Sequence, residues 1–105
     1  MSYRITITEV ADAQLKALTA REQRIIESAI QTRLLDKPDI TTKSIKKLRP
    51  NKFAEYELRA GTLRVLYNVQ GDEVVLLIVG RKDGNKLIVQ GEEFHEHKDD
   101  PSKPT

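Results

Sequence analysis

Residues 73–79 read Glu-Val-Val-Leu-Leu-Ile-Val, six apolar side chains in an unbroken row. A strand that is apolar on both faces has to be covered on both, so this run predicts the central strand of a sheet. Turn residues bound it, with Gly71-Asp72 before it and Asp83-Gly84-Asn85 after, and residues 86–90 follow as a last strand. Upstream, residues 54–67 alternate around Ala60-Gly61, which reads as a two-residue hairpin turn. In that register Leu58 opposes Leu63, Tyr56 opposes Val65 and Ala54 opposes Tyr67 on one wholly apolar face. Glu57 opposes Arg64 on the other face, beside Arg59 and Thr62.

Something must cover the apolar face, and the N-terminal third supplies it. Residues 3–9 alternate polar and β-branched residues, the pattern of a strand with one buried side. Ala11, Leu15 and Leu18 then fall on one helical face. Thr19 and Glu22 have capping-box spacing at the start of a second helix, whose stripe is Ile25, Ile26, Ala29, Ile30 and Leu34, and Pro38 closes it. The expected fold is α+β: an N-terminal strand, then a two-helix hairpin packed on one face of a mainly antiparallel twisted sheet. At 105 residues and 12.0 kDa the chain suits one domain, residues 1–94. Residues 95–105 are polar with two prolines, a tail expected to be disordered.

Charge is unevenly placed. Residues 37–52 hold Lys37, Lys43, Lys46, Lys47, Arg49 and Lys52 against Asp39 alone, whereas residues 92–105 are acidic. A basic segment of this kind faces either solvent or phosphate. There is no cysteine, which excludes disulfides and thiolate metal sites, and neither a cofactor nor a metal is expected. No run approaches the ~18 apolar residues of a membrane span. The N-terminus lacks the plan of a signal peptide, so a cytoplasmic protein is expected.

The register of the second hairpin places Arg64 near Val79 and Thr62 level with Arg81. Arg64, Arg81 and Arg59 then share the face away from the helices with Leu66, Asn68, Val75 and Leu77. An apolar floor edged by arginines is a docking surface for something anionic or amphipathic. Tyr56 and Tyr67 fall on the opposite face and read as core rather than as stacking platforms.

Lys47-Leu48-Arg49, then Leu58-Arg59, then Leu63-Arg64-Val-Leu-Tyr67, then Val75 to Gly80 followed by Arg81-Lys82, resemble the motif series of the RelE/ParE superfamily of bacterial toxins. The likeness in order and spacing spans residues 3–90 and is most specific in 47–82. It implies the toxin of a type II toxin–antitoxin module, of the kind associated with plasmid stabilisation, bound and neutralised by a cognate antitoxin protein. RelE-like members cut messenger RNA on the ribosome and so inhibit translation. ParE-like members instead inhibit DNA gyrase without nuclease activity. A third alternative is a non-toxic interaction domain of the same fold.

Carried over residue by residue, Arg64 matches the arginine that holds the scissile phosphate in RelE-like enzymes. Lys82 stands where that family has an arginine, keeping the charge without the fork geometry. Glu55 and Glu57 replace two lysines, and Leu87 to Val89 occupy the place of a tyrosine. A nuclease reading therefore rests on Arg64, Arg81, Lys82 and Glu57, with Glu57 as the base toward a ribose 2′-hydroxyl. The RNA-binding set is Lys43, Lys46, Lys47, Arg49, Lys52 and Arg59. His95 and His97 are candidate acids, weighed against an adventitious pair in an acidic tail. For Glu57 and Arg64 the simpler reading is a cross-strand ion pair worth about 0–1 kcal/mol.

Overall fold

The structure, a computed structural model, describes residues 2–94. The tail 95–105, with His95 and His97, lies outside the described residues. The chain runs β1 (Arg4–Ile7), α1 (Glu9–Lys16), α2 (Ala20–Arg33), β2 (Ile45–Lys47), β3 (Tyr56–Ala60), β4 (Leu63–Gln70), β5 (Glu73–Asp83), β6 (Lys86–Val89) and β7 (Glu92–Phe94). The strands form one sheet in the order β2-β3-β4-β5-β6-β7, all antiparallel, and β1 joins it parallel to the first half of β5. This is the expected α+β arrangement. No helix among the described residues is long and apolar enough to cross a membrane.

Both helices begin where a threonine can serve the first free amides. Thr8 accepts from the Ala11 amide at 3.1 Å. At α2 the capping box is complete: Thr19 Oγ1 accepts from the Glu22 amide at 3.1 Å, and the Glu22 carboxylate accepts from the Thr19 amide at 3.0 Å. Ala11, Ile26, Ile30 and Leu34 then pack on Leu58, Val65, Tyr67, Val74, Leu76 and Val79 as the main core. Ile25, expected in the same stripe, is half-exposed because it stands on the shoulder of the face centred on Ile26 and Ile30. Tyr67, fully buried and stacked on Tyr56 with ring centroids 5.5 Å apart, donates its hydroxyl to the Pro38 carbonyl at 2.6 Å. That bond ties the loop after α2 to the sheet, and burial pushes the Tyr67 pKa up so that the donor stays protonated.

Two registers differ from those expected. The β3–β4 turn is Gly61-Thr62, with Ala60 opposite Leu63. Favoured two-residue turns need positive φ at their first loop position, and Gly61 has φ +62° where Ala60 would be strained. The pairing thus slides by two residues, which keeps the side chains of β3 and β4 on their expected faces; Ala54, expected opposite Tyr67, precedes β3 and packs on the other face. Arg59, not Glu57, now stands opposite Arg64. In β4–β5 a bulge lies between the Leu66–Ile78 and Tyr67–Leu76 pairs, so Leu77 has no counterpart. An odd insertion reverses the faces beyond it. Arg64 therefore pairs with Gly80 rather than lying near Val79, and Leu63 with Arg81. Gly80 is held to a glycine by the close approach of β6: an added Cβ would sit 2.6 Å from the Ile88 carbonyl oxygen.

The second sheet face has its own small core, built from Ala54, Leu66, Ile78 and Leu87 with Leu48, Phe53, Leu77, Val89 and Phe94 beside them. Phe53 meets Phe94 edge to face at 5.0 Å, so the loop before β3 touches β7 and the sheet curls into a trough.

β5 also carries a gap on its far side. β1 pairs with it through Leu76 and β6 only from Arg81 onward. The buried side chain of Gln14, on α1, fills the interval by accepting the Val79 amide at 2.8 Å. Gln14→Leu leaves that amide buried and unpaired, which is expected to cost about 1–3 kcal/mol. In urea the midpoint should fall with the slope unchanged, and an unaltered midpoint would show that Gln14 is not filling the ladder.

Candidate functional site

The trough on the second face is a groove of about 650 Å³. β2 contributes Lys46 and Lys47, the following loop Arg49, β3 Glu57 and Arg59, β5 Lys82, and the β5–β6 turn region Asn85 and Lys86. Glu93 and Phe94 of β7 close the far wall. Six cations, Lys46, Lys47, Arg49, Arg59, Lys82 and Lys86, thus face two carboxylates, Glu57 and Glu93. Leu48, Pro50, Leu87 and Phe94 give the groove an apolar lining between the charges. Such a surface suits a polyanion with apolar or aromatic parts better than a small neutral ligand.

Loop order matters because Arg49 has no regular element to hold it. Asn51 supplies that order. Its Oδ1 accepts the Phe53 and Ala54 amides at 2.7 and 3.1 Å, while its Nδ2 donates to the carbonyls of Arg49 and Ala54 at 2.7 and 3.0 Å. One side chain thereby closes the turn and fixes the backbone at Arg49.

Glu57 is the buried charge of the site, only 7% exposed. Arg59 Nε donates to its Oε1 at 3.1 Å, Arg64 Nε lies 3.9 Å from the same oxygen, and Lys46 stands directly across on β2. Two arginines facing each other across β3 and β4 would repel, and the carboxylate between them offsets that. Arg64 turns back on its own hairpin, with Nη1 donating to the Gly61 and Leu63 carbonyls at 2.8 and 2.9 Å. Its Nε is buried without a hydrogen bond, and the 3.9 Å contact is Coulombic only. Arg64 therefore lies behind Glu57 rather than on the groove wall.

The bulge at Leu77 redistributes the other candidates. Arg81, expected beside Arg64, is on the helix face, where it pairs with Glu22 at the start of α2. Bonds from the Thr19 backbone and from Arg81 hold the Glu22 carboxyl below its usual range. Lys82 takes the groove side instead. Of the predicted RNA-binding residues, Lys46, Lys47, Arg49 and Arg59 line the groove. Lys52 lines an adjoining hollow of about 310 Å³ with Lys47 and Arg49, and Lys43 is exposed in the loop before β2. Glu55 is outside the groove, where it accepts the Val69 amide at 3.2 Å. Lys86 and Asn85 were not among the expected residues. The signal that finds them is the Gly84-Asn85 turn, once β6 is known to fold back beside Lys82.

No protein-family model matches the chain, and no curated protein does. Solved structures do. A chain of the RelBE2 toxin–antitoxin complex from Mycobacterium tuberculosis superposes with a TM-score of 0.64 and 27% identity, over 78% of this chain and 100% of that one. A chain of the archaeal RelE–RelB complex from Pyrococcus horikoshii OT3 gives 0.63 and 20% identity, over 81% and 99%. At 20% identity the second likeness bears on the fold alone.

Glu57→Gln keeps the shape of the side chain and removes its charge, leaving Arg59 and Arg64 opposed. A loss of about 1–3 kcal/mol is expected, below the cost for a fully buried pair because Arg59 is half-exposed. Arg64→Met in the same background should recover part of it. Denaturant titration of the single and double variants checks the coupling, and strict additivity would show that the two side chains do not interact.

Proposed function

This chain has the RelE-type toxin fold, and on that premise we propose that it is the toxin of a type II toxin–antitoxin module. In this reading residues 1–94 act as one domain in the cytoplasm and cleave messenger RNA on the ribosome. A cognate antitoxin protein is its partner. The observation that carries the nuclease reading is the groove itself: six cations around one recessed carboxylate, on a floor with apolar patches.

The roles follow from position. Lys46, Lys47, Arg49 and Lys86 hold the RNA backbone along the groove, with Lys43 and Lys52 at its approach. Arg59, half-exposed, swings from Glu57 to the scissile phosphate. Glu57, freed of that partner, takes the proton of the ribose 2′-hydroxyl. The 2′-oxygen attacks phosphorus, the bond to the 5′-oxygen breaks, and that oxygen leaves with a proton from solvent. Lys82 balances the charge that builds on the phosphorane. Arg64, 3.9 Å behind Glu57, remains beside the carboxylate as its counter-charge when Arg59 leaves. Arg81 serves the helix face.

The test is to induce the protein without its partner and follow transcripts and plasmid supercoiling in the same cells. Ribosome-dependent cuts with supercoiling unchanged are expected. Lys82→Ala should slow cleavage about 30- to 1000-fold, which is about 2–4 kcal/mol of barrier. Intact transcripts with falling gyrase activity would replace the nuclease by a gyrase inhibitor. Unchanged growth would leave only an interaction domain.

A further inference from the structure

A second basic cleft, of about 560 Å³, lies on the helix side of the sheet between α2 and β3. Arg21, Arg24 and Arg33 of α2 face it, and Arg59 closes it from β3. None of its lining residues is a carboxylate, and Arg21, Arg24 and Arg33 form no ion pair with any described residue. Arg21 and Arg24 stand three residues apart on α2, where like charges repel, and with Arg33 they leave the cleft positive without a carboxylate in its lining, so it gains by taking up an anion. Ser28, Thr32 and Ser44 add hydroxyls between them. From Arg21 to Arg33 the helix rises ~18 Å, a length that spans several phosphates rather than one.

Arg59 is the link, since it lines this cleft and the groove on the opposite face. We propose that the α2 cleft is a second RNA-backbone subsite, and that a single strand lying in the groove passes the end of the sheet at Arg59, beside the β3–β4 turn, and continues along α2. The inference rests on the groove binding RNA. It adds that the ligand is a strand long enough to pass the turn end of β3, held on α2 by its phosphates and not by its bases. No aromatic side chain lines the cleft, so it offers bases no aromatic stacking platform. An acidic protein segment is the competing occupant. The run of hydroxyls, the shallow floor of Ala29 and Ala60, and the continuity through Arg59 favour phosphate.

The experiment is fluorescence anisotropy with the full chain and 2′-O-methyl RNA, which cannot be cleaved. One oligomer fills the groove alone and another is long enough to run through both sites. The variant is Arg21→Gln/Arg24→Gln/Arg33→Gln, all exposed positions, with its helix content checked by circular dichroism. Binding of the long strand should weaken at least about tenfold, and the slope of log K against log salt should fall by about 2, three phosphates at ~0.7 each. The short strand should bind as before. Ser28→Glu, which adds a negative charge and removes no arginine, should give the same selective loss. A long strand weakened no more than the short one overturns the second subsite and leaves the groove reading intact. Wild-type protein that binds neither strand overturns both. A triple variant that keeps its RNA salt slope but no longer binds an acidic partner chain makes the cleft a protein site and overturns the proposal.

Discussion

β5 has to satisfy two faces and three neighbouring strands, and one unpaired residue makes that possible. Up to Leu76 its even-numbered residues point at the helices; beyond Leu77 the odd-numbered ones do. Val74, Leu76 and Val79 can therefore all enter the main core, while Leu77 and Ile78 lie side by side in the smaller one. Had the strand run without the bulge, Lys82 would project toward α2 and Arg81 into the groove. The charge pattern of both faces follows from a backbone irregularity that itself carries no charge.

The same residue shift separates two kinds of cation. Arg81 is tied to Glu22, whose carboxylate also caps α2, so its charge is spent on holding a helix end to the sheet. The groove cations have no such anchor beyond Glu57 and Glu93 among the lining residues. A structural ion pair on one side and a cationic trough on the other are thus built from adjacent residues of one strand. Burial separates the two arginines beside Glu57: Arg64 is mostly covered and bonded to its own hairpin, whereas Arg59 is half-exposed to solvent.

Much of this was legible in the residues. Alternation in 54–67, the apolar run 73–79, the Thr19–Glu22 box and the turn glycines specify the elements, because each is a local device with a fixed geometry. The bulge was not legible for a physical reason: a run apolar on both faces looks the same before and after a one-residue slip. Turns at Ala60-Gly61 and at Gly61-Thr62 put β3 and β4 in registers two residues apart, a whole period of the pleat, so the faces are the same for either. β2 carries no strand signal of its own, because two of its three residues are lysines and its strand character comes only from pairing with β3. The motif series 47–82 pointed to the fold that the solved structures share. The groove's membership, by contrast, depends on how the sheet curls, which brings Phe53 to Phe94 and is written in no single segment.

The contact between Glu57 and Arg59 bears on departure as much as on arrival. An anion that takes Arg59 must displace a carboxylate already 3.1 Å away, so association is an exchange of partners rather than a simple gain of one. The displaced carboxylate does not diffuse off; it stays covalently beside the guanidinium at a high effective concentration. Whenever the ligand's grip loosens, Glu57 is there to reclaim Arg59 before rebinding occurs. A groove so furnished shortens the residence of any polyanion that engages Arg59, which is released one contact at a time.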